Sequence, residues 1–211
     1  RLLTDSILQT DNMDPETTKE FVNDIGREAE RLSRITENLL RLTRLDGGVV
    51  QAAYPVAVGP VLQRVERMLG IVAEEKGVTI SGAASEDAVA LATDDDVHQI
   101  LYNLMENAIK YSAAENGFVR TEASAQDGQV VITVTDNGIG IPDEDLPHIF
   151  DRFYRVDKMR SREVGGTGLG LSIVKDTIEN RGGTIRAGHG AEGVGTVFTV
   201  TLPLAQREEE P

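Results

Sequence analysis

The chain has no cysteine. That absence excludes disulfides, thiolate metal sites and cysteine nucleophiles together. Tryptophan is also absent, and aromatic residues make up 4% of the 211 positions, so aliphatic side chains must fill any core. Cations are in the minority: 21 Lys and Arg against 35 Asp and Glu give a formal charge of -14. Nucleic-acid binding needs clustered cations for the phosphates, and this acidic balance argues against it. A local basic pocket for a small phosphate ligand is still compatible with that charge. No apolar run approaches the roughly 20 residues that cross a bilayer, and no secretory leader opens the sequence. Histidine is scarce: there are three, and none precedes His98.

What is present suggests two regions. Hydrophobic content of 40% supports a packed core, and the length suits one large domain or a domain with an appendage. Residues 1–10, with Leu2, Leu3, Ile7 and Leu8, read as the end of a helix. A turn follows, with Asp14 as N-cap and Pro15 at the first helical position. A long helix then runs to about Leu45. Its apolar positions Phe21, Ile25, Leu32, Ile35, Leu39 and Leu42 alternate in threes and fours, with Ala29 in step. A lone hairpin cannot bury such a stripe, so the pattern predicts dimerisation into a four-helix bundle. The plainer alternative is packing against the rest of the same chain. Gly47-Gly48 ends the helix and marks a hinge. The expected organisation is a helical hairpin over 1–46, a hinge over 47–53, a second domain over 54–205 and a disordered, charged tail over 206–211.

The second domain mixes patterns. Helices are expected at Val58–Lys76, Asp94–Tyr111 and Leu169–Arg181. Short strands are expected at Val78–Ser81 and Ala88–Ala92. Val119–Ala125 and Val130–Asp136 should form a hairpin across Gln126–Gln129, and Thr184–Ala187 with Thr196–Leu202 a closing one. Antiparallel strands with three helices predict an α+β fold, a two-layer α/β sandwich with its helices on one face.

Four motifs stand in this domain in fixed order. In the first, Asn103-Leu-Met-Glu-Asn107-Ala-Ile-Lys110-Tyr111, helical spacing puts Asn103, Asn107 and Lys110 on one stripe. Carboxamides and an ammonium are costly to bury alone. A triphosphate with a divalent cation would satisfy them, since Mg²⁺ takes oxygen ligands and Lys offers a point charge to phosphate. The plain alternative is a solvated helix face. In the second, Asp136-Asn-Gly138-Ile-Gly140-Ile-Pro142, a carboxylate at a strand end can accept from an exocyclic amine such as adenine's, though Asp-Asn-Gly also makes an ordinary turn. The third, Phe150-Asp-Arg-Phe153-Tyr154-Arg155, opens a segment carrying Arg152, Arg155, Lys158, Arg160 and Arg162. It reads as a cationic lid anchored by Phe150 and Phe153, or else as a surface loop. The fourth, Gly166-Thr167-Gly168-Leu169-Gly170-Leu171, leads into a helix whose amides can cradle phosphate. It lacks the preceding βαβ strand that a dinucleotide fingerprint requires.

Together the four motifs resemble the N, G1, F and G2 boxes of sensor histidine kinases. Gly193-Val-Gly195-Thr196-Val-Phe198 resembles that family's last glycine box. Residues 15–45, with Glu30-Arg31-Leu32 and Asn38-Leu39-Leu40, resemble the second helix of its dimerisation and phosphotransfer domain. The resemblance implies ATP held between sheet and lid, with Mg²⁺ on Asn107 and Asn103 close to the phosphates. It implies phosphate contacts from Lys110, Tyr154 and Arg155, and Tyr111 near the nucleotide. Asp136 would read the adenine amine, and Gly138, Gly140, Gly166, Thr167, Gly168, Leu169, Gly170, Leu171 and Thr196 would shape the pocket. The catalytic set would be Asn107, Lys110 and Arg155. The implied partners are a second copy through the hairpin and a response-regulator receiver domain. The implied setting is a cytoplasmic domain whose parent is anchored in the cell membrane through segments before Arg1.

One departure matters. The family's phosphate acceptor is a histidine on the first bundle helix, and His98, His148 and His189 match no acceptor motif. Truncation upstream of Arg1 is the expected cause, and a natural protein without the acceptor is the alternative. Such a fragment would bind ATP without autophosphorylating alone. An ATPase or serine kinase of the same fold, or a non-catalytic scaffold, is the alternative. The related ATPases place a general-base Glu four residues before the metal-binding Asn, where this chain has Asn103.

Overall fold

The computed structural model describes residues 14, 16–26, 29, 32, 36, 51–113, 115–156 and 167–205. The chain falls into two compact units, Arg1–Thr43 and Arg44–Pro211. Several expectations lie outside the described residues. They concern residues 1–10, Pro15, Ile35, Leu39, Leu42, the Gly47-Gly48 hinge, Lys158, Arg160, Arg162, Gly166 and the tail.

In the first unit residues 16–26 are helical. Asp14 caps them: its Oδ1 accepts from the amides of Glu16 (3.0 Å) and Thr17 (2.9 Å). These are donors that a helix start leaves open. The bond from the Thr17 side chain, and then the backbone amides, hold the Asp14 carboxyl below its ordinary value. Phe21 and Ile25 are half-buried, while Leu32 is 56% exposed.

The second unit runs β1 (Tyr54–Ala57), α1 (Val58–Glu75), β2 (Val78–Ala84), β3 (Val89–Ala92), α2 (Asp94–Lys110), β4 (Gly117–Gln126), β5 (Gln129–Asp136), α3 (Gly170–Asn180), β6 (Thr184–His189) and β7 (Thr196–Pro203). Five strands form one sheet in the order β2-β4-β5-β7-β6, and β1 pairs with β3 in a separate two-stranded sheet. The helices pack on one face of the larger sheet, which gives the expected α+β sandwich. Two details differ from expectation. β1 was not expected; its four residues are too few for an alternation to register, and its partner β3 is distant in sequence. β2 pairs with β4 in parallel, Val78 opposite Gly117, because α2 returns the chain across the helical layer between them.

Local chemistry explains the elements. On α1, Val58, Val61, Leu62, Val65, Leu69 and Ala73 recur at threes and fours and are buried. Thr93 and Asp96 form a capping box at the start of α2, and Asp94, Asp95 and Asp96 suit the positive end of its dipole. Between β4 and β5, Asp127 (φ 49°) and Gly128 (φ 76°) are both left-handed, the tight turn that matches strand twist. The core is aliphatic as the composition requires: Leu62, Leu69, Ile100, Leu101, Leu104, Ile109, Ile132, Ile178 and Leu202 are fully buried. Among the described residues Phe198 is the one buried aromatic.

Candidate functional site

The apolar face of α2, including Ile100, Leu101, Leu104, Met105, Ala108 and Ile109, is buried in the core. That fixes the helix's rotation and leaves Asn103, Asn107 and Lys110 on a half-buried stripe. The Asn103 Nδ2 donates to the Gln99 carbonyl one turn back (2.9 Å). A Cβ at Gly170 would stand 3.0 Å from the Asn103 Oδ1, so α3 starts directly against this carboxamide. Lys110 Nζ lies 5.2 Å from the centre of the Tyr111 ring. Burial raises the Tyr111 hydroxyl above its ordinary value, and the nearby charge of Arg155 opposes that.

Asp136 is the last residue of β5 and is 5% exposed. Its Oδ1 accepts from the amides of Gly138 (2.8 Å) and Thr196 (3.2 Å). Its Oδ2 makes no described hydrogen bond. Burial pushes the carboxyl above 3.8, against the pull of those two amides. A folded-state value above the unfolded one means the ionised form costs stability. The cost is absent below the ordinary value and complete once pH passes the raised one. A carboxylate kept buried at a cost, with one oxygen free, is a candidate for ligand recognition.

Glycines let the backbone close around it. A Cβ on Gly138 would lie 2.1 Å from the Tyr111 carbonyl oxygen. At Gly195 φ is +74°, and a Cβ there would lie 1.9 Å from the Asp136 carbonyl oxygen. The neighbouring Asn137 was not singled out from the sequence. Its Oδ1 accepts from the Phe118 amide (2.8 Å) and its Nδ2 donates to the Asn116 carbonyl (2.9 Å), stapling the turn to the start of β4. The one signal was an Asn whose side chain can mimic backbone pairing in a turn.

The third and fourth motifs meet at their ends. The Phe153 amide donates to the Gly168 carbonyl (2.9 Å), and at Gly168 (φ +71°) a Cβ would stand 2.9 Å from the Phe153 Cα. Phe150 is half-buried and packs edge-on against Phe198, with centroids 6.4 Å apart. Phe153 is not an anchor: it is 65% exposed, because its own positive φ (67°) and the bond to Gly168 turn its side chain outward. The Tyr154 hydroxyl donates to the Asp145 carboxylate rather than standing free for phosphate, and that bond raises its pKa. The Leu169 side chain is fully buried and Leu171 packs on the core, so both support the site from behind. Thr167 Oγ1 accepts from the Leu169 amide (3.3 Å). Arg155 Nη2 is buried without a hydrogen-bond partner among the described residues.

Contacts and one charge effect link these residues. Asn103 meets Gly170; Gly168 meets Phe153 and Tyr154; Arg155 acts on Tyr111; Tyr111 touches Gly138; and Asp136 holds the amides of Gly138 and Thr196. Of the site residues expected from the sequence, Asn103, Tyr111, Asp136, Gly138, Arg155, Gly168, Gly170 and Thr196 are brought together. Asn107 and Lys110 share the α2 stripe, and Gly140 (φ +72°) continues the turn. A buried guanidinium nitrogen with no partner among the described residues calls for an anion, and the glycine cradle leaves backbone exposed where side chains would otherwise intrude. This donor set fits a nucleotide.

Residues 92–206 match the family described as histidine kinase-, DNA gyrase B-, and HSP90-like ATPase. The sensor histidine kinase WalK of Bacillus subtilis is 36% identical over 87% of this chain and 30% of its own length. The sensor-like histidine kinase SenX3 of Mycolicibacterium smegmatis is 35% identical over 90% of this chain and 49% of its own. The chain thus spans 30% to 49% of the length of these relatives. Among solved structures, full-length ShkA in complex with AMPPNP superposes with a TM-score of 0.75 at 30% identity, covering 92% of this chain and 40% of that one. The histidine kinase ThkA, solved with the response regulator protein TrrA, shares the fold at 24% identity, with a TM-score of 0.76 over 97% of this chain and 57% of its own.

Proposed function

Since the chain belongs to the histidine kinase-, DNA gyrase B- and HSP90-like ATPase family, as a catalytic domain of the sensor histidine kinase type, we propose that its second unit holds ATP for transfer of the γ-phosphoryl group to a histidine. That histidine would stand on a dimerisation domain, and an aspartate of a response regulator would receive the group next. The observation that carries the reading is the buried Arg155 Nη2, which has no hydrogen-bond partner among the described residues and whose charge acts on Tyr111 at the end of α2. We assign phosphate contacts to Arg155 and Lys110, and recognition of the adenine amine to the free oxygen of Asp136. Such a site works by positioning and charge stabilisation.

Among the described residues no cluster of three or more His, Cys, Asp or Glu could hold a metal ion. Mg²⁺ commonly takes few protein ligands and several phosphate oxygens, and the Asn107 carboxamide offers one oxygen of the right kind. When bound, the ion would neutralise phosphate charge. Hydrolysis is the weaker reading. The residue four before Asn107 is Asn103, and Glu106, one position from Asn107, accepts from the Tyr102 hydroxyl (3.4 Å) on another side of α2. No carboxylate on the stripe is placed to activate water.

Calorimetry with Mg²⁺ and AMPPNP tests the site. Arg155→Gln should weaken binding by about tenfold or more, the loss expected for one charge-assisted contact. Equal affinity in a folded variant would remove Arg155 from the phosphates. Addition of a first bundle helix carrying a histidine should then give radiolabelled protein from γ-labelled ATP, whereas the present chain alone should not label. Nucleotide binding without labelling in that extended protein would favour a scaffold.

The first unit supplies the dimer, on our reading, because Leu32, one of the apolar positions that recur in threes and fours there, lies exposed. Leu32→Lys with Leu39→Lys should convert a dimer to monomers in sedimentation velocity. A wild-type chain already monomeric at high concentration would leave the bundle without support. Solved ThkA engages a response regulator, and a receiver domain is the partner we propose here. Among the described residues no helix is long and apolar enough to cross a membrane. Anchoring of the whole protein through segments before Arg1 is part of the same proposal.

A further inference from the structure

Away from every glycine motif, one buried ion pair ties together the two helices that carry the site. Arg181 follows the last turn of α3. Its Nε (2.8 Å) and Nη2 (2.7 Å) both reach Oδ2 of Asp96 in the first turn of α2. The two side chains are 8% and 12% exposed. The same oxygen accepts from the Thr93 amide (3.0 Å) and hydroxyl (2.6 Å). Arg181 Nη1 donates to the Gln51 carbonyl (2.8 Å), just before β1. Two turns along α2 from Asp96, the Asn103 Oδ1 stands against Gly170, the first residue of α3.

The helices are therefore joined at two places, a directional ion pair at one and a carboxamide-on-glycine contact at the other. Between them lie aliphatic contacts, which are non-directional and tolerate sliding. A fork of guanidinium donors on one carboxylate does not. Buried pairs add little net stability compared with apolar replacements, and their attested use is to fix one arrangement among several.

We infer that Arg181 is a positioning residue for the nucleotide site. Through Asp96 it sets the rotation and rise of α3 against α2, and with them the fit of the Asn103 carboxamide to the glycine-rich start of α3. This rests on the nucleotide reading above. Arg181 touches no ligand itself; it acts through Asp96, α2 and α3.

The test measures Mg²⁺–AMPPNP affinity and melting temperature on the 211-residue chain. Arg181→Met keeps the stem and removes the fork. It should weaken binding about tenfold at a temperature where the variant is fully folded, the usual scale for losing a supporting contact. Adding Asp96→Asn to it should cost no further affinity, because the pair acts as one unit. Ile132→Val, buried in β5 and on neither helix, should lower the melting temperature while leaving affinity intact. That contrast separates positioning from bulk stability. Equal affinity in wild type and Arg181→Met, whatever the change in melting temperature, overturns the inference. If Arg181→Met does not fold, Arg181→Lys decides: a cation without the fork should still bind several-fold more weakly, and unchanged affinity overturns it. A wild-type chain that binds no nucleotide refutes instead the reading on which the inference rests.

Discussion

Asp136→Asn is expected to weaken Mg²⁺–AMPPNP binding by about 30-fold, the ~2 kcal/mol of a hydrogen bond to a charged acceptor. The amide keeps one carbonyl oxygen for the Gly138 and Thr196 amides, which wild-type Oδ1 already serves. Its nitrogen then occupies the place of Oδ2 and presents a donor to the adenine amine, itself a donor. The same change should leave the ligand-free protein as stable as the wild type at pH 7, or more so. Burial raises the wild-type carboxyl, so the folded state holds its proton to higher pH than the unfolded chain does. The cost of ionising it appears as pH rises through the ordinary value and is complete above the raised one. The difference in melting temperature between variant and wild type should therefore grow from about pH 3 to pH 7. A variant that binds as tightly as wild type would displace Asp136 from adenine recognition. A variant that melts lower at neutral pH than at acid pH, relative to wild type, would reverse the assigned sign.

Gly195→Ala should destabilise the second unit by about 3 kcal/mol or more, from left-handed strain together with a backbone clash. The strain follows from φ +74°, and the clash from a Cβ placed 1.9 Å from the Asp136 carbonyl oxygen. In a chain of this size that is a fall of roughly 10 °C in melting temperature. Neither obstacle is the end of a flexible side chain, so β7 and the turn after β5 must separate. Their separation would also break the Thr196 amide's bond to Asp136, and nucleotide affinity should fall with stability. Gly193→Ala is the internal control. It has a similar φ (+78°) but nothing within 4 Å of a Cβ, so it should show the strain alone. Equal losses in the two variants would mean that the close approach is not what demands glycine at 195.

Much of the fold was legible because its signals are local. The stripe on α2 follows from 3.6-residue periodicity, which also decided that Asn103, Asn107 and Lys110 share a face once the apolar face was buried. The β4–β5 hairpin follows from Asp127-Gly128 between alternating segments, and the cap at Asp14 from the chemistry of a helix start. Strand β1 escaped notice because its only partner, β3, lies beyond a whole helix in sequence.

The site divides along the same line. From its residues alone, the sequence determined the order of the motifs, the type of ligand they suit and the family they resemble, because carboxamides, glycines and cations at set spacings carry their chemistry wherever the chain folds. Tertiary structure alone decided which atoms are spent and which are free. It occupied Asp136 Oδ1 with two backbone amides, gave the Tyr154 hydroxyl to Asp145, turned Phe153 outward and left Arg155 Nη2 without a partner among the described residues. It also joined Asp96 to Arg181, 85 residues apart in sequence. Pairings of this kind depend on where distant segments are brought by the burial of other residues, and no local pattern records that.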